Sequence, residues 1–245
     1  MDRYDARTYG DGYADVYDHW YGDLPGADEA VATLSELAAD GPVLELAVGT
    51  GRLAVPLAAA GVRVVGIDAS TPMLAQLARN DPTGSVLAVR ADMAALPLAA
   101  TSGFALAFVA VNSLFNLFTA ESQRRCVLDT AAALRPGGAL VVEAFVPDER
   151  GTGAGVVEPR SIEPDRVTLF VSRQDPVAQT VSAQIIEITA EGNRLRPVHL
   201  RYLTPAQLDA LAAEAELHLE QRWQDWARTP FTDDSPTHVS LYRRP

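Results

Sequence analysis

Three acids punctuate the apolar runs of the first hundred residues. Glu45 lies inside Val43-Leu-Glu-Leu46, Asp68 follows Val62 to Ile67, and Asp92 follows Ser85 to Val89. Between the first two stands Ala47-Val-Gly49-Thr-Gly51. Gly49 and Gly51 lack a Cβ, so the backbone can turn tightly there and approach a ligand. A helix starting near Arg52 would aim its free N–H groups at an anionic or nucleoside ligand. Asp68 lies 19 residues after Gly49, close to the roughly 20 expected of an acid that bonds ribose hydroxyls. Read literally, Gly49-Thr-Gly51-Arg-Leu-Ala54 also fits the dinucleotide fingerprint, which is a weak signal without its context.

A second set is aromatic. Tyr4, Tyr9, Tyr13, Tyr17 and Tyr21 crowd the N-terminus beside Trp20. From Tyr9 onward the spacing is four, which on one helix makes a slowly drifting stripe. Such rings can attract a cation, and their hydroxyls can orient an amine. They can also simply pack an amphipathic helix onto a core. Tyr9 and Tyr17 are the candidates for chemistry and Tyr13 for the wall of a site, while Tyr4 and Tyr21 read as packing.

The elements that must hold these residues follow from the hydrophobic pattern. Residues 28–39 form an amphipathic helix, ending near Asp40-Gly41-Pro42. A short buried strand carries Glu45, and the helix from Leu53 to Ala60 stops at Gly61. Thr71-Pro72 opens the next helix. A fourth strand, Phe104 to Val111, runs into Asn112-Ser-Leu-Phe-Asn116. A fifth, Ala139 to Phe145, follows Arg135-Pro-Gly-Gly138. Residues 149–156 read as a Gly- and Thr-rich linker. Val167 to Ser172, Thr180 to Thr189 and Leu195 to Leu203 alternate as three antiparallel strands. His199 and Arg201 share one face of the last of these, expected to meet water. Thr204-Pro205 starts a helix, and Leu217 to Trp223 with His238 to Arg243 close the sheet. His19, His218 and His238 read as surface or structural.

This ordered set resembles the class I S-adenosylmethionine-dependent methyltransferases, strongly over residues 40–148. The resemblance implies a Rossmann-like α/β fold with a seven-stranded sheet, an N-terminal helical lid and a small antiparallel β insert. It divides a single domain into a lid (1–40), a cofactor core (41–148), an insert (149–203) and a closing helix with strands (204–245). It implies S-adenosyl-L-methionine as cofactor. Asp68 would take the ribose hydroxyls, Asp92 the adenine amino group, and Glu45 would support the methionine part. Met73 and Met93 would flank the adenine, with Ala47, Gly49, Gly51, Ala69, Val109 and Tyr17 completing the cofactor site. Ala47 departs from the glycine usual in the family, and its methyl narrows the approach to the methionine end.

The insert and the C-terminal tail resemble those of small-molecule N-methyltransferases of antibiotic pathways, aminosugar and lincosamide types among them. Tyr9 and Tyr17 would then be catalytic, and Tyr9, Tyr13, Phe115 and Asn116 would meet the substrate. Core packing is an equal alternative for Phe115 and for Phe118. Asn116 falls where the aminosugar enzymes carry a histidine, and an amide cannot take a proton at neutral pH. That favours methylation of an amine driven by proximity. An O-methyltransferase, a nicotinamide-dependent oxidoreductase and an inactive cofactor-binding relative remain the alternatives.

Composition narrows the partners. The 245 residues carry a net charge of −12 and no lysine, which argues against a nucleic acid partner. No apolar run approaches the ~20 residues of a membrane span, and the N-terminus lacks signal-peptide character. A cytoplasmic protein acting on a small-molecule acceptor is expected, and a homo-oligomer is compatible with this reading. No His/Cys cluster has zinc-ligand spacing, so no metal is expected. The single Cys126 reads as a small buried hydrophobe.

Overall fold

The computed structural model describes residues 4–99, 102–148 and 155–245. The lid comprises α1 (Thr8–Tyr13) and α2 (Tyr17–Tyr21), followed by α3 (Ala27–Ala38). The core then runs β1 (Val43–Leu46), α4 (Ala54–Ala59), β2 (Val64–Asp68), α5 (Thr71–Asn80), β3 (Val86–Arg90), β4 (Phe104–Val109), α6 (Ala120–Ala133) and β5 (Leu134–Phe145). A second unit follows: β6 (Gly155–Ile162), β7 (Arg166–Asp175), β8 (Thr180–Thr189) and β9 (Gly192–Arg201). The chain closes with α7 (Pro205–Glu214), β10 (His218–Trp223) and β11 (Thr237–Arg243).

The main sheet has seven strands in the order β10-β11-β5-β4-β1-β2-β3. Strands β1 to β5 pair in parallel, and β11 runs antiparallel to both its neighbours. Strands β1 and β4 are buried throughout, because helices cover both faces of the sheet. Leu34, Ala38, Leu57 and Leu77 pack on one face; Cys126, Val127, Leu208 and Ala212 pack on the other. From β1 the chain winds outward to β3, then returns to add β4 on the other side of β1. The crevice at that reversal, beyond the carboxyl ends of β1 and β4, is where an open α/β sheet binds ligands.

Helix starts are fixed locally. Ser70 Oγ accepts from Met73 N–H at 3.3 Å, with proline in the first turn of α5. Thr119 with Ser122 and Thr204 with Gln207 form reciprocal capping boxes on α6 and α7. Cys126 is buried, and burial pushes its thiol up to about 12.

Three expectations need correction. The tyrosine stripe does not ride one helix: the chain breaks at residues 14–16, so Tyr9 and Tyr17 belong to different helices. The insert sheet has four strands, not three, because residues 155–162 pair antiparallel with β7; residues 149–154 of the expected linker lie outside the described set. His199 and Arg201 do not face water. His199 Nδ1 lies 3.0 Å from Ser182 Oγ, its ring packs against Tyr4, and Arg201 donates to Gln123 Oε1 at 2.6 Å. Among the described residues, no helix is long and apolar enough to cross a membrane.

Candidate active site

The turn after β1 carries three residues in left-handed backbone: Ala47 (φ 55°), Gly49 (φ 56°) and Gly51 (φ 87°). Only Ala47 is strained there, since its Cβ meets the following carbonyl. Gly51 is required for packing: a Cβ would stand 2.3 Å from Leu77 Cδ1. This lets α4 lie against α5. Gly49 serves the site directly. Its N–H donates to Asp68 Oδ2 at 2.9 Å, while Ser70 N–H donates to Oδ1 at 2.8 Å. The Asp68 carboxylate is thereby fixed in orientation, although burial holds its pKa above the ordinary value. Asp92 Oδ1 accepts from Ala94 N–H at 2.8 Å, which sets the turn after β3.

These residues line a cleft of about 630 Å³. Asp68, Ala69, Met73, Asp92 and Met93 form one side; Ala47 and Gly49 form the floor. Gly10, Tyr9 and Tyr17 close it from the lid. Tyr17, Ala47 and Ser113 also line a small adjoining recess that holds Glu45 and Arg52. Glu45 is buried, its Oε2 has no hydrogen-bond partner, and burial drives its carboxyl well above the usual range. A buried acid left unpaired is costly unless a ligand completes it. With Arg52 in the same recess, the donor set fits the ammonium and carboxylate of an α-amino acid. The S-adenosylmethionine outline therefore fits: diol at Asp68, base near Asp92 and the methionines, amino-acid end at Glu45 and Arg52. Sequence reading passed over Arg52, although it is the first cation after the glycine turn.

A second chamber, of about 1090 Å³, lies between the lid, the loop after β4 and the insert. Phe170, Val181, Ile185, Val198 and Leu200 make its insert wall, and Glu158 with Arg160 stand on β6 beside it. None of these was singled out from sequence, because alternation in a strand does not say which face meets a ligand. The two cavities share four residues: Tyr9, Tyr17, Ser113 and Asn116. Asn116 Oδ1 is buried and has no partner. The loop that presents it is strained, with Val111 at φ 46° and Asn112 at φ 63°. It is pinned by Val111 N–H on Glu143 Oε2 at 2.9 Å and by Phe145 N–H on Asn112 Oδ1 at 2.7 Å. Strain held by such contacts is common at functional sites.

Burial holds the Tyr9 hydroxyl well above its ordinary pKa and pushes Tyr17 up to about 12, with Arg52 opposing the shift. Both therefore stay protonated near neutrality and act as hydrogen-bond donors and acceptors. Of the expected site residues, Tyr13, Phe115 and Val109 line neither cavity, nor does Gly51, which packs on Leu77; Glu45 lines only the recess. Tyr13 is fully buried, stacked on Tyr9 at 4.4 Å, and donates to the Arg196 carbonyl at 3.0 Å. Phe115 is fully buried edge-on against Phe145 at 5.1 Å. Val109 is buried in the same core behind the loop. The apolar side of the β4 loop turns inward to fill the layer under α6, leaving Asn116 and Ser113 to face the cavities.

A methyltransferase-domain family matches residues 43–138. The CcbJ methyltransferase from Streptomyces caelestis is 40% identical, with 98% of this chain and 99% of that chain superposed at a TM-score of 0.92. The cypemycin N-terminal methyltransferase of a Streptomyces species is 28% identical over 90% of each chain. An S-adenosylmethionine-bound amino pentose methyltransferase from Micromonospora echinaspora, involved in calicheamicin biosynthesis, shares the fold at 23% identity and a TM-score of 0.72. The chain belongs to the class I S-adenosylmethionine-dependent methyltransferases. It is a methyltransferase, and S-adenosylmethionine is its methyl donor.

Proposed function

We propose that the enzyme methylates an amine nitrogen of a small-molecule natural product seated in the insert chamber. The observation that carries this reading is the make-up of the four residues shared by the two cavities. Two tyrosines that stay protonated, one serine and one asparagine offer hydrogen bonds but no base for neutral pH. A hydroxyl acceptor usually needs such a base, whereas a neutral amine already offers its lone pair. Relatives named for N-terminal and amino pentose methylation support the same class of acceptor.

When bound, S-adenosylmethionine supplies an electrophilic methyl group on a sulfonium. Asp68, Asp92, Glu45 and Arg52 hold the donor's three parts. Asn116 Oδ1 accepts an amine N–H and directs the lone pair toward the methyl carbon, with the Tyr9 hydroxyl as second partner. That methyl group would be the electrophile for the nitrogen, and its bond to sulfur would break with the electron pair left on sulfur. The ammonium product releases its proton to water. Orientation of this kind supplies on the order of 7–11 kcal/mol in well-aligned systems. The test uses S-adenosylmethionine labelled at the methyl group with aminosugar, amino-acid-derived and lincosamide-type amines, each beside its hydroxyl counterpart. Label is expected in an amine. Label confined to a hydroxyl or carboxylate would overturn the reading.

A further inference from the structure

Arg196 on β9 is the largest fully buried side chain, 1% exposed, and the catalytic argument makes no use of it. Its guanidinium makes four hydrogen bonds. Nε donates to Glu187 Oε1 of β8 at 2.8 Å, and the two terminal nitrogens donate to Asp15 at 2.7 and 3.1 Å. One of them also donates to the Gly12 carbonyl. The cation lies 5.3 Å from the Trp20 ring centre and 5.9 Å from that of Tyr13, and Tyr13 returns a hydrogen bond to the Arg196 carbonyl. Arg194 adds a third bond to Asp15 at 2.7 Å. Everything outside the insert that Arg196 grips belongs to the segment between Gly12 and Trp20, which joins the two lid helices.

The lid's other side is tied to the cofactor cleft. Asp11 accepts from Ser70 Oγ at 2.7 Å, and Ser70 N–H is one of the two donors on Asp68. Asp18 accepts from Gln76 and Asn80 of α5 at 2.9 and 3.0 Å. No described insert residue lines the cofactor cleft. The lid, which shares the wall between the cavities with the loop after β4, is thus bonded on one side to the turn that carries Asp68 and on the other to the sheet that walls the insert chamber.

We infer that Arg196 is a positioning residue that makes lid and insert one body, so that occupancy of the cofactor cleft orders the acceptor chamber. A guanidinium suits this task, because a planar fork binds a carboxylate in one orientation and is charged at every working pH. Coupling of this kind is reciprocal: whatever the donor does for the chamber, a bound acceptor does for the donor. The inference leaves the nature of the acceptor open and rests only on the two cavities being donor and acceptor sites.

Hydrogen exchange of the full-length enzyme, with and without S-adenosylhomocysteine, tests it. In the wild type the ligand should slow exchange of insert amides in 180–201 by about fivefold or more, the lower end of ordinary coupling. In Arg196→Met and Asp15→Asn that protection should fall below about twofold, while Gly49 and Ser70 stay protected in each. Asp15 is 46% exposed, so Asp15→Asn keeps the test decisive if Arg196→Met does not fold. Asp15→Glu should restore the wild-type response. Ligand-independent exchange of the wild-type insert, or equal protection in wild type and Asp15→Asn, would overturn the inference. A failure of donor binding shows separately, as unprotected Gly49 and Ser70.

Discussion

At the scale of single residues, the Asp68 carboxylate is held by two backbone donors and faces the cleft with its remaining lone pairs. Asp68→Ala should weaken S-adenosylhomocysteine binding by about 1.5–3 kcal/mol, the worth of hydrogen bonds to a charged group. Calorimetry reads this directly, and unchanged affinity would remove Asp68 from the ribose site. Tyr9 and Tyr17 separate by their neighbours. Both line the cleft and the insert chamber, but of the two only Tyr17 also lines the recess with Arg52 and Glu45. Tyr17→Phe should raise KM for S-adenosylmethionine about tenfold, and Tyr9→Phe should lower kcat about tenfold, each ~1.4 kcal/mol. Steady-state kinetics beside a thermal melt distinguishes these from a packing loss, because the phenyl ring stays in place. Asp68 was singled out because it closes an apolar run 19 residues after Gly49, and Asp92 through the family resemblance; both line the cleft. Arg196 was not legible: an arginine in an alternating strand gives no sign that three elements will bury it. Tyr13 and Phe115 misled for the opposite reason. Their neighbours in sequence face the cavities, and one turn of backbone sends these two rings into the core.

At the scale of elements, α1 docks through its smallest residue. A Cβ on Gly10 would stand 2.4 Å from Ser70 Cβ and 3.2 Å from Met73 Cγ. Gly10→Val should lift α1 from the cleft and raise KM for S-adenosylmethionine about tenfold, or ~1.4 kcal/mol. Gly12→Ala, where a Cβ meets nothing within 4 Å, should leave KM unchanged. Equal behaviour of the two variants would mean that α1 does not close the site. Strands β1, β2, β4 and β5 could be read in advance because sheet burial writes itself as unbroken apolar runs. Of the three capped helices α5, α6 and α7, the first and last announced themselves through Thr71-Pro72 and Thr204-Pro205. Strand β6 stayed hidden, since Glu158-Pro159-Arg160 lacks alternation and β6 is an edge strand where proline is tolerated. The break between α1 and α2 was equally silent. It is imposed by Asp15 reaching the insert, a contact 181 residues away along the chain.

At the scale of the molecule, the main sheet buries a titratable group far from the site. His238 on β11 is fully buried, Nδ1 lies 2.8 Å from Ser240 Oγ, and burial with Arg222 nearby lowers its pKa to about 4. The unfolded chain binds that proton near 6.5 and the folded one does not. The unfolded state therefore holds more protons between about 4 and 6.5, and stability falls as pH drops through that window. The loss should reach up to about 3 kcal/mol, and His238→Leu should flatten it. Urea titrations at pH 7 and pH 4.5 on both proteins measure the difference, and an equal slope in both would mean another group drives the acid limb. The division of the two cavities has a different consequence, one for descent. The cleft and recess are lined by the lid and residues 45–117, while the apolar wall of the insert chamber comes from a meander that leaves the core once and returns once. On the proposed reading, acceptor preference can be inherited, lost or exchanged with this cassette while the residues lining the cleft stay as they are. The exception is the Gly12–Asp15 bend, which must travel with the cassette because its partner Arg196 does.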